Sequence, residues 1–222
     1  MFPIAQIRPA YSRAERLSDG AVHVVGLVAA VLAVPALITL AALFRTETAA
    51  IVGASVYGAS LLLMLTFSAL YNMTDNARWS GLLRRLDHSG IYVKIAGTYT
   101  PFVLLSGIPA PGFLAGLWGS AAIGSVLKFA APDRFRWFAL TLYLAMGWAA
   151  VWAGGWMLAG LPTSILVLMI VGGALYTIGV AFFLLERLPF HNTIWHVFVL
   201  AGSVLFFIAV ALNIAGAPVI PV

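Results

Sequence analysis

Ser68, Asp87 and His196 bring a hydroxyl, a carboxylate and an imidazole to the ends of three long apolar runs. Ser68 and Asn72 are four residues apart, as are Asn192 and His196, so each pair shares one face of a helix. Asp87 and His88 open a third run, and His191 stands just before Asn192. Taken singly, these residues read as caps: Asp87 for the third helix, Asn192 for the last one after Pro189, with His88 facing head groups. Taken together they read as a site. Ser68 and His196 each lie about one turn deeper than capping requires, and ionisable groups inside a membrane face a cavity or a partner because exposure to lipid is costly.

The runs that must position these residues dominate the chain. Of 222 residues, 63% are hydrophobic and 9% charged, with mean hydropathy +1.04. No soluble domain of this size covers such a surface with polar groups. Seven runs approach the ~20 residues that cross a bilayer, at residues 22–43, 49–71, 88–105, 112–130, 135–154, 161–185 and 192–215. The expected fold is an all-α, seven-transmembrane helix bundle forming a single domain over residues 1–222. Residues 1–20 form a cytoplasmic amino-terminal segment and, lacking a continuous apolar stretch, do not read as a cleaved leader.

Charge orients the bundle. Ten of the twelve basic residues fall before the first run or in alternate gaps: Arg8, Arg13, Arg16, then Arg78, Arg84, Arg85, then Lys128, Arg134, Arg136, then Arg187. Basic residues accumulate on the cytoplasmic side, so the amino terminus is expected inside and the carboxyl terminus outside, in the inner (cytoplasmic) membrane of a cell. The net charge of +5 then reflects topology, and no nucleic-acid partner is expected. The absence of cysteine removes disulfides, thiolate-held zinc and thiol nucleophiles.

The stretches SALYN (68–72), LRRLDHSGIYVKIAGTYTPF (83–102), LYLAMGW (142–148) and LPFHNTIWHVFVLAGSV (188–204) resemble the hemolysin III family, the bacterial branch of the progestin and adipoQ receptor superfamily. The likeness begins before the first run, at SDGAVHVVG, and covers nearly the whole chain. It implies a seven-helix bundle with a cytoplasmic amino terminus. It also implies zinc held by three histidines, one in the second span and two in the seventh, with an aspartate of the third span holding a zinc-bound water. The superfamily is linked to lipid amide hydrolysis, and its bacterial members to haemolysis and membrane-lipid homeostasis. Carried over, the serine is Ser68, the aspartate Asp87 and the last histidine His196. The other two ligand positions hold Asn72 and Asn192, and a further histidine of bacterial members is Phe206 here.

Two amides in place of imidazoles leave one strong ligand, because zinc sites of this type want three ring nitrogens at about 2.0–2.1 Å. His191 could substitute only from a non-helical start, since at helical spacing it lies about 140° around the axis from His196. Lys94 lies seven residues after Asp87, on nearly the same face. Either it supplies, with Asp87 as counter-ion, the charge that zinc supplies elsewhere, or it snorkels past Asp87 to water. His23 reads as an interfacial or hydrogen-bonded histidine. Thr98, Thr100 and Pro101 read as a kink, and Gly172, Gly173 and Gly179 as close-packing positions. The leading expectation is a membrane-lipid homeostasis protein with a zinc site lacking two of its histidines and a lipid ligand in the bundle. Against it stand a metal-dependent hydrolase of lipid amides or esters, in which Asp87 orients water and His196 ligates zinc, and a haemolytic pore.

Overall fold

A computed structural model describes residues 11–45, 47–132 and 134–216. Arg8 and both extremities of the expected domain lie outside the described residues. Those residues form nine helices: α1 (Arg13–Phe44), α2 (Thr48–Met73), α3 (Ala77–Leu104), α4 (Pro111–Ala130), α5 (Arg136–Gly147), α6 (Ala149–Ala153), α7 (Gly155–Ala159), α8 (Thr163–Leu184) and α9 (His191–Ala215). Five of them, α1, α2, α4, α8 and α9, are long and apolar enough to cross a membrane. The chain is an all-helical, multi-pass membrane protein.

α1 starts well before the apolar run. Ser12 caps it, accepting from the Glu15 N–H while Glu15 reaches back to the Ser12 N–H. This reciprocal pair satisfies two of the donors that every helix start leaves unpaired. The consequence is a helix that carries Asp19 and His23 on the same stripe as Gly26, Ala30, Val34, Leu37 and Ala41, all buried. α3 also begins early, capped by Asn76, whose side chain accepts from the Arg78 N–H. Asp87 is therefore inside α3, not its cap. α9 begins at His191 after Phe190, which adopts a left-handed conformation (φ 59°). Asn192 is likewise inside its helix and caps nothing.

The rods alternate in direction. Gly26 of α1 faces Leu65 of α2, and Gly58 of α2 faces Val34 of α1, so the pair is antiparallel. Gly53 and Gly97 set the α2–α3 contact: a Cβ at Gly53 would lie 2.8 Å from the Pro101 Cα, and one at Gly97 would overlap the Ser60 side chain. α8 and α9 meet through Gly172 against Phe206 and Gly179 against Phe198 and Trp195, which bears out the close-packing role of those two glycines. Without a hydrophobic drive between helices in lipid, such close approach is a main source of association. α1 and α9 run parallel. Glu15 and Ser18 meet Phe190 and Thr193 at one end, and Arg45 donates to the Asn213 and Ile214 carbonyls at the other, both at 2.7 Å.

The single helix expected at 135–154 is two, α5 and α6, broken at Trp148, and a third, α7, follows after Gly154. Breaks inside a membrane expose backbone groups that need partners, and α3 supplies them. Tyr99 donates to the Gly147 carbonyl at 2.8 Å and accepts from the Ala150 N–H at 3.1 Å. Tyr92 donates to the Ala139 carbonyl at 2.8 Å. α3 itself runs unbroken through Pro101. Thr98 and Thr100 bond the Lys94 and Ala96 carbonyls in the two turns before the proline.

Substituting Gly53→Val forces α2 away from the α3 backbone and costs about 1–3 kcal/mol, the usual scale of overpacking. Gly81→Ala, on α3 where nothing lies within 4 Å, is expected to gain about 0.5–1 kcal/mol by helix propensity. Thermal unfolding of detergent-solubilised protein reads both; equal melting temperatures for the two variants contradict this account of the contact.

Candidate functional site

The parallel pairing of α1 and α9 brings their first turns together, and α2 adds its last turn. Asp19 of α1 sits at the junction. His196 Nδ1 donates to Asp19 Oδ1 at 2.6 Å, and His23 Nε2 lies 3.4 Å from Oδ2. Asn192 Nδ2 donates to the same Oδ2 at 3.2 Å and to Asn72 Oδ1 at 3.3 Å. Asn72 Nδ2 in turn bonds the Ser68 carbonyl at 2.9 Å and faces the Ser68 hydroxyl at 3.5 Å. The His23 and His196 rings stand 4.3 Å apart, tilted by 59°. Asp19, His23 and His196 are 7%, 4% and 7% exposed. One hydrogen-bonded chain thus runs from Ser68 through both asparagines to Asp19 and His196, with His23 beside it.

This chain opens onto a cavity of about 1430 Å³. Ser68, Asn72, Asp87 and His88 line it, as do Lys94, His191, Asn192 and His196. Helices α2, α3 and α9 therefore share one hollow. Within it, Asp87 is partly buried and outside the Asp19 chain, so a reading built on Asp87 and His196 as near neighbours has Asp19 in the place next to the imidazole. His191 is the first residue of α9 and turns away from His196. Its Nε2 shares a 3.1 Å hydrogen bond with the Tyr11 hydroxyl, whose phenol burial holds above its ordinary value and therefore neutral. A non-helical His191 that rescues a ligand position is thus not what the backbone adopts.

Lys94 is paired neither with Asp87 nor with water. It is 3% exposed, and its Nζ donates to the Tyr176 hydroxyl at 3.0 Å, which is itself 2.7 Å from the Ser203 hydroxyl. The ammonium also faces the rings of Phe206 at 4.9 Å, Tyr176 at 5.1 Å and Tyr57 at 5.7 Å. Three π-faces and one hydroxyl from α2, α8 and α9 offset desolvation locally, so the cation takes an arrangement that is neither pairing with Asp87 nor snorkelling to water.

The sequence places Asp19 in the cytoplasmic segment and gives His23 an interfacial or hydrogen-bonded role; the structure brings both into the cluster with His196. The signal was present: Asp19 and His23 are four apart, and Ser12-x-x-Glu15 is a helix-start signature that puts both on α1.

The fold and site define a polytopic membrane protein with a buried carboxylate–imidazole cluster at one end of a large cavity. The profile of the family described as "Haemolysin-III related" matches residues 12–207. Among curated relatives, "Hemolysin-3" of Bacillus cereus is 38% identical over 200 residues, covering 88% of this chain and 90% of the relative. "Hemolysin-3 homolog" of Bacillus subtilis (strain 168) is 36% identical over 200 residues, covering 88% and 92%. The human "Monocyte to macrophage differentiation factor" is 27% identical over 169 residues, covering 70% and 67%. The chain belongs to the haemolysin-III-related family.

Replacing Tyr176 by Phe removes the hydroxyl that Lys94 relies on and leaves a buried cation under-satisfied, an expected loss of about 1–3 kcal/mol. Lys94→Met removes the cation and leaves Tyr176 bonded to Ser203, so its cost is expected to be small or even negative, as for buried charges replaced by apolar isosteres. Thermal unfolding of the two variants checks the order; a Lys94→Met protein less stable than Tyr176→Phe reverses the assignment.

Proposed function

We propose that this protein handles a membrane lipid, taking an acyl chain into the bundle with its polar end toward the Asp19–His196 cluster, in the service of membrane-lipid homeostasis. The observation that carries this is the cavity. Its volume of about 1430 Å³ exceeds that of ordinary small-molecule sites, about 300–1,000 Å³. Its wall includes apolar side chains such as Leu144, Met169, Val199 and Phe102, and the Asp19–His196 cluster with Asn72 and Asn192 stands at one end. An amphiphile has the same division.

The family match and the charge pattern support a seven-span reading. Rods α3 and α5–α7 are the two crossings beyond the five that length and apolarity alone select. α3 has 28 residues, about 42 Å at helical rise. The parallel α1 and α9 require an odd number of crossings. Arg13, Arg16, Arg84, Lys128 and Arg136 belong to the end that carries the site, and Arg45 to the other, so the site faces the cytoplasm of the inner membrane. Single cysteines introduced into this cysteine-free chain test that topology. Ser12→Cys is expected to resist a membrane-impermeant maleimide in intact cells, and Ser106→Cys, between α3 and α4, to react. The reverse labelling pattern overturns the orientation.

The site residues divide the work chemically. Asp19, Asn192 and Asn72 present acceptors and donors to a head group, and Lys94 adds a positive charge deeper in the cavity. The ligand set implied by the resemblance does not fit three-imidazole zinc chemistry, because positions 72 and 192 carry amides already bonded to each other and to Asp19. No hydrolytic step is therefore derived through it. The relatives' names carry haemolysis as a second reading, and flux of a trapped dye across reconstituted liposomes above background would favour it. Native mass spectrometry of the protein released directly from membranes tests the lipid reading. About one bound lipid per chain is expected, with its occupancy lowered by Val199→Trp, which narrows the cavity. An empty cavity in the wild-type protein refutes it.

A further inference from the structure

We infer that Asp19, His23 and His196 form a binding site for one divalent transition-metal ion, with zinc the ion their donors suit best. This ligand set differs from positions 72, 192 and 196 and draws two of its three members from α1.

Four observations converge on it. One ligand atom from each residue lies within 4.8 Å of the others. The 3.4 Å between His23 Nε2 and Asp19 Oδ2 matches the separation of about 3.3 Å between ligands around a tetrahedral ion with bonds near 2.0–2.1 Å. All three residues are buried, which separates them from surface acidic clusters. Most telling, His23 Nε2 is buried and points at the Asp19 carboxylate from 3.4 Å without good hydrogen-bond geometry to it. A buried ring nitrogen so weakly held is costly, and a metal ion is a partner it can accept.

The chemistry of the set is also right. Two imidazoles and one carboxylate are a recurrent donor combination for zinc and related ions that leaves further positions open toward a cavity. Here the open side is the lipid-sized hollow. The carboxylate brings the negative charge that two amides do not. The 2.6 Å Asp19–His196 contact is a hydrogen bond that ion binding replaces, releasing the proton on Nδ1. Asn192 keeps its place by donating to Asp19 Oδ2, and Asn72 holds Asn192. Both asparagines then position the new ligand rather than serving as ligands themselves.

The competing interpretation is a metal-free Asp–His tie between two helices, and metal content separates the two. Full-length protein purified in detergent without chelator is analysed by elemental mass spectrometry, and after incubation with zinc and dialysis. About one equivalent is expected in the wild type, and less than about a fifth in His23→Gln and in Asp19→Asn. Asp87→Asn, outside the Asp19 chain, is expected to retain most of it. Should the Asp19 or His23 variants fail to fold, cobalt titration of the wild type keeps the question open to decision: visible absorption saturating at one equivalent supports the site. Wild-type protein that holds less than about a tenth of an equivalent after zinc loading overturns it. So does wild-type-level metal in folded His23→Gln and Asp19→Asn. The lipid reading stands or falls separately, since a metal-free protein can still carry its lipid.

Discussion

A buried carboxylate joins the first and last rods of this bundle. Asp19 accepts from His196 and Asn192 of α9 and faces His23 of its own helix. Apolar helices gain little by leaving lipid for one another, so their pairing is decided by close packing and by polar ties. α1 and α9 have such ties at both ends: Asp19, Ser18 and Glu15 at one, and Arg45 on two carbonyls at the other. With the first and last rods clamped in parallel, the intervening helices are arranged around the hollow. A carboxylate in that position without donors would be prohibitive, so the donors on α9 and the aspartate on α1 depend on each other.

α3 performs the second task. One face is shaved to glycine where α2 approaches, at Gly97 against Ser60 and Gly90 against Met64. Another presents tyrosine hydroxyls that satisfy the broken backbone around Trp148. A third presents Lys94 to the rings and hydroxyl of α8 and α9. The break in α5–α7 and the cavity are linked through these contacts. Leu144 and Trp148 flank the break and line the hollow, so the chain leaves regular helix where the wall of the cavity needs it.

Apolar run length and the clustering of basic residues made membrane residence and the helix positions legible, and the motifs around 68–72, 83–102 and 188–204 made the family legible. What escaped was set by local capping and by long-range pairing. Hydropathy finds where a run is apolar, not where the helix begins. α1 and α3 therefore start earlier than expected, at Arg13 and Ala77, under the caps Ser12 and Asn76. That displacement turned Asp87 from a cap into an interior residue and moved Asp19 onto a helix face. Lys94 went astray for a different reason: its sequence neighbour of opposite charge was Asp87, but its spatial neighbours, Tyr176 and Phe206, lie far along the chain. The break after Gly147 carried no proline, and glycine alone does not announce it.

The two asparagines give these displacements a common meaning. At positions 72 and 192 the resemblance implies imidazoles, and an amide there offers only a weak neutral oxygen. Two such changes in isolation would leave His196 alone among polar groups with no charge to balance. Asp19 resolves the deficit, because it faces the same imidazole from the opposite helix and takes the Asn192 amide as a donor. Phe206 follows the same logic one level deeper, where a ring in place of an implied histidine becomes a π-face for Lys94. The polar interior has thus been redistributed: an anion enters from α1 near the mouth, and a cation enters from α3 further in. The two charges thus sit at different depths of the hollow, each held by partners from other helices.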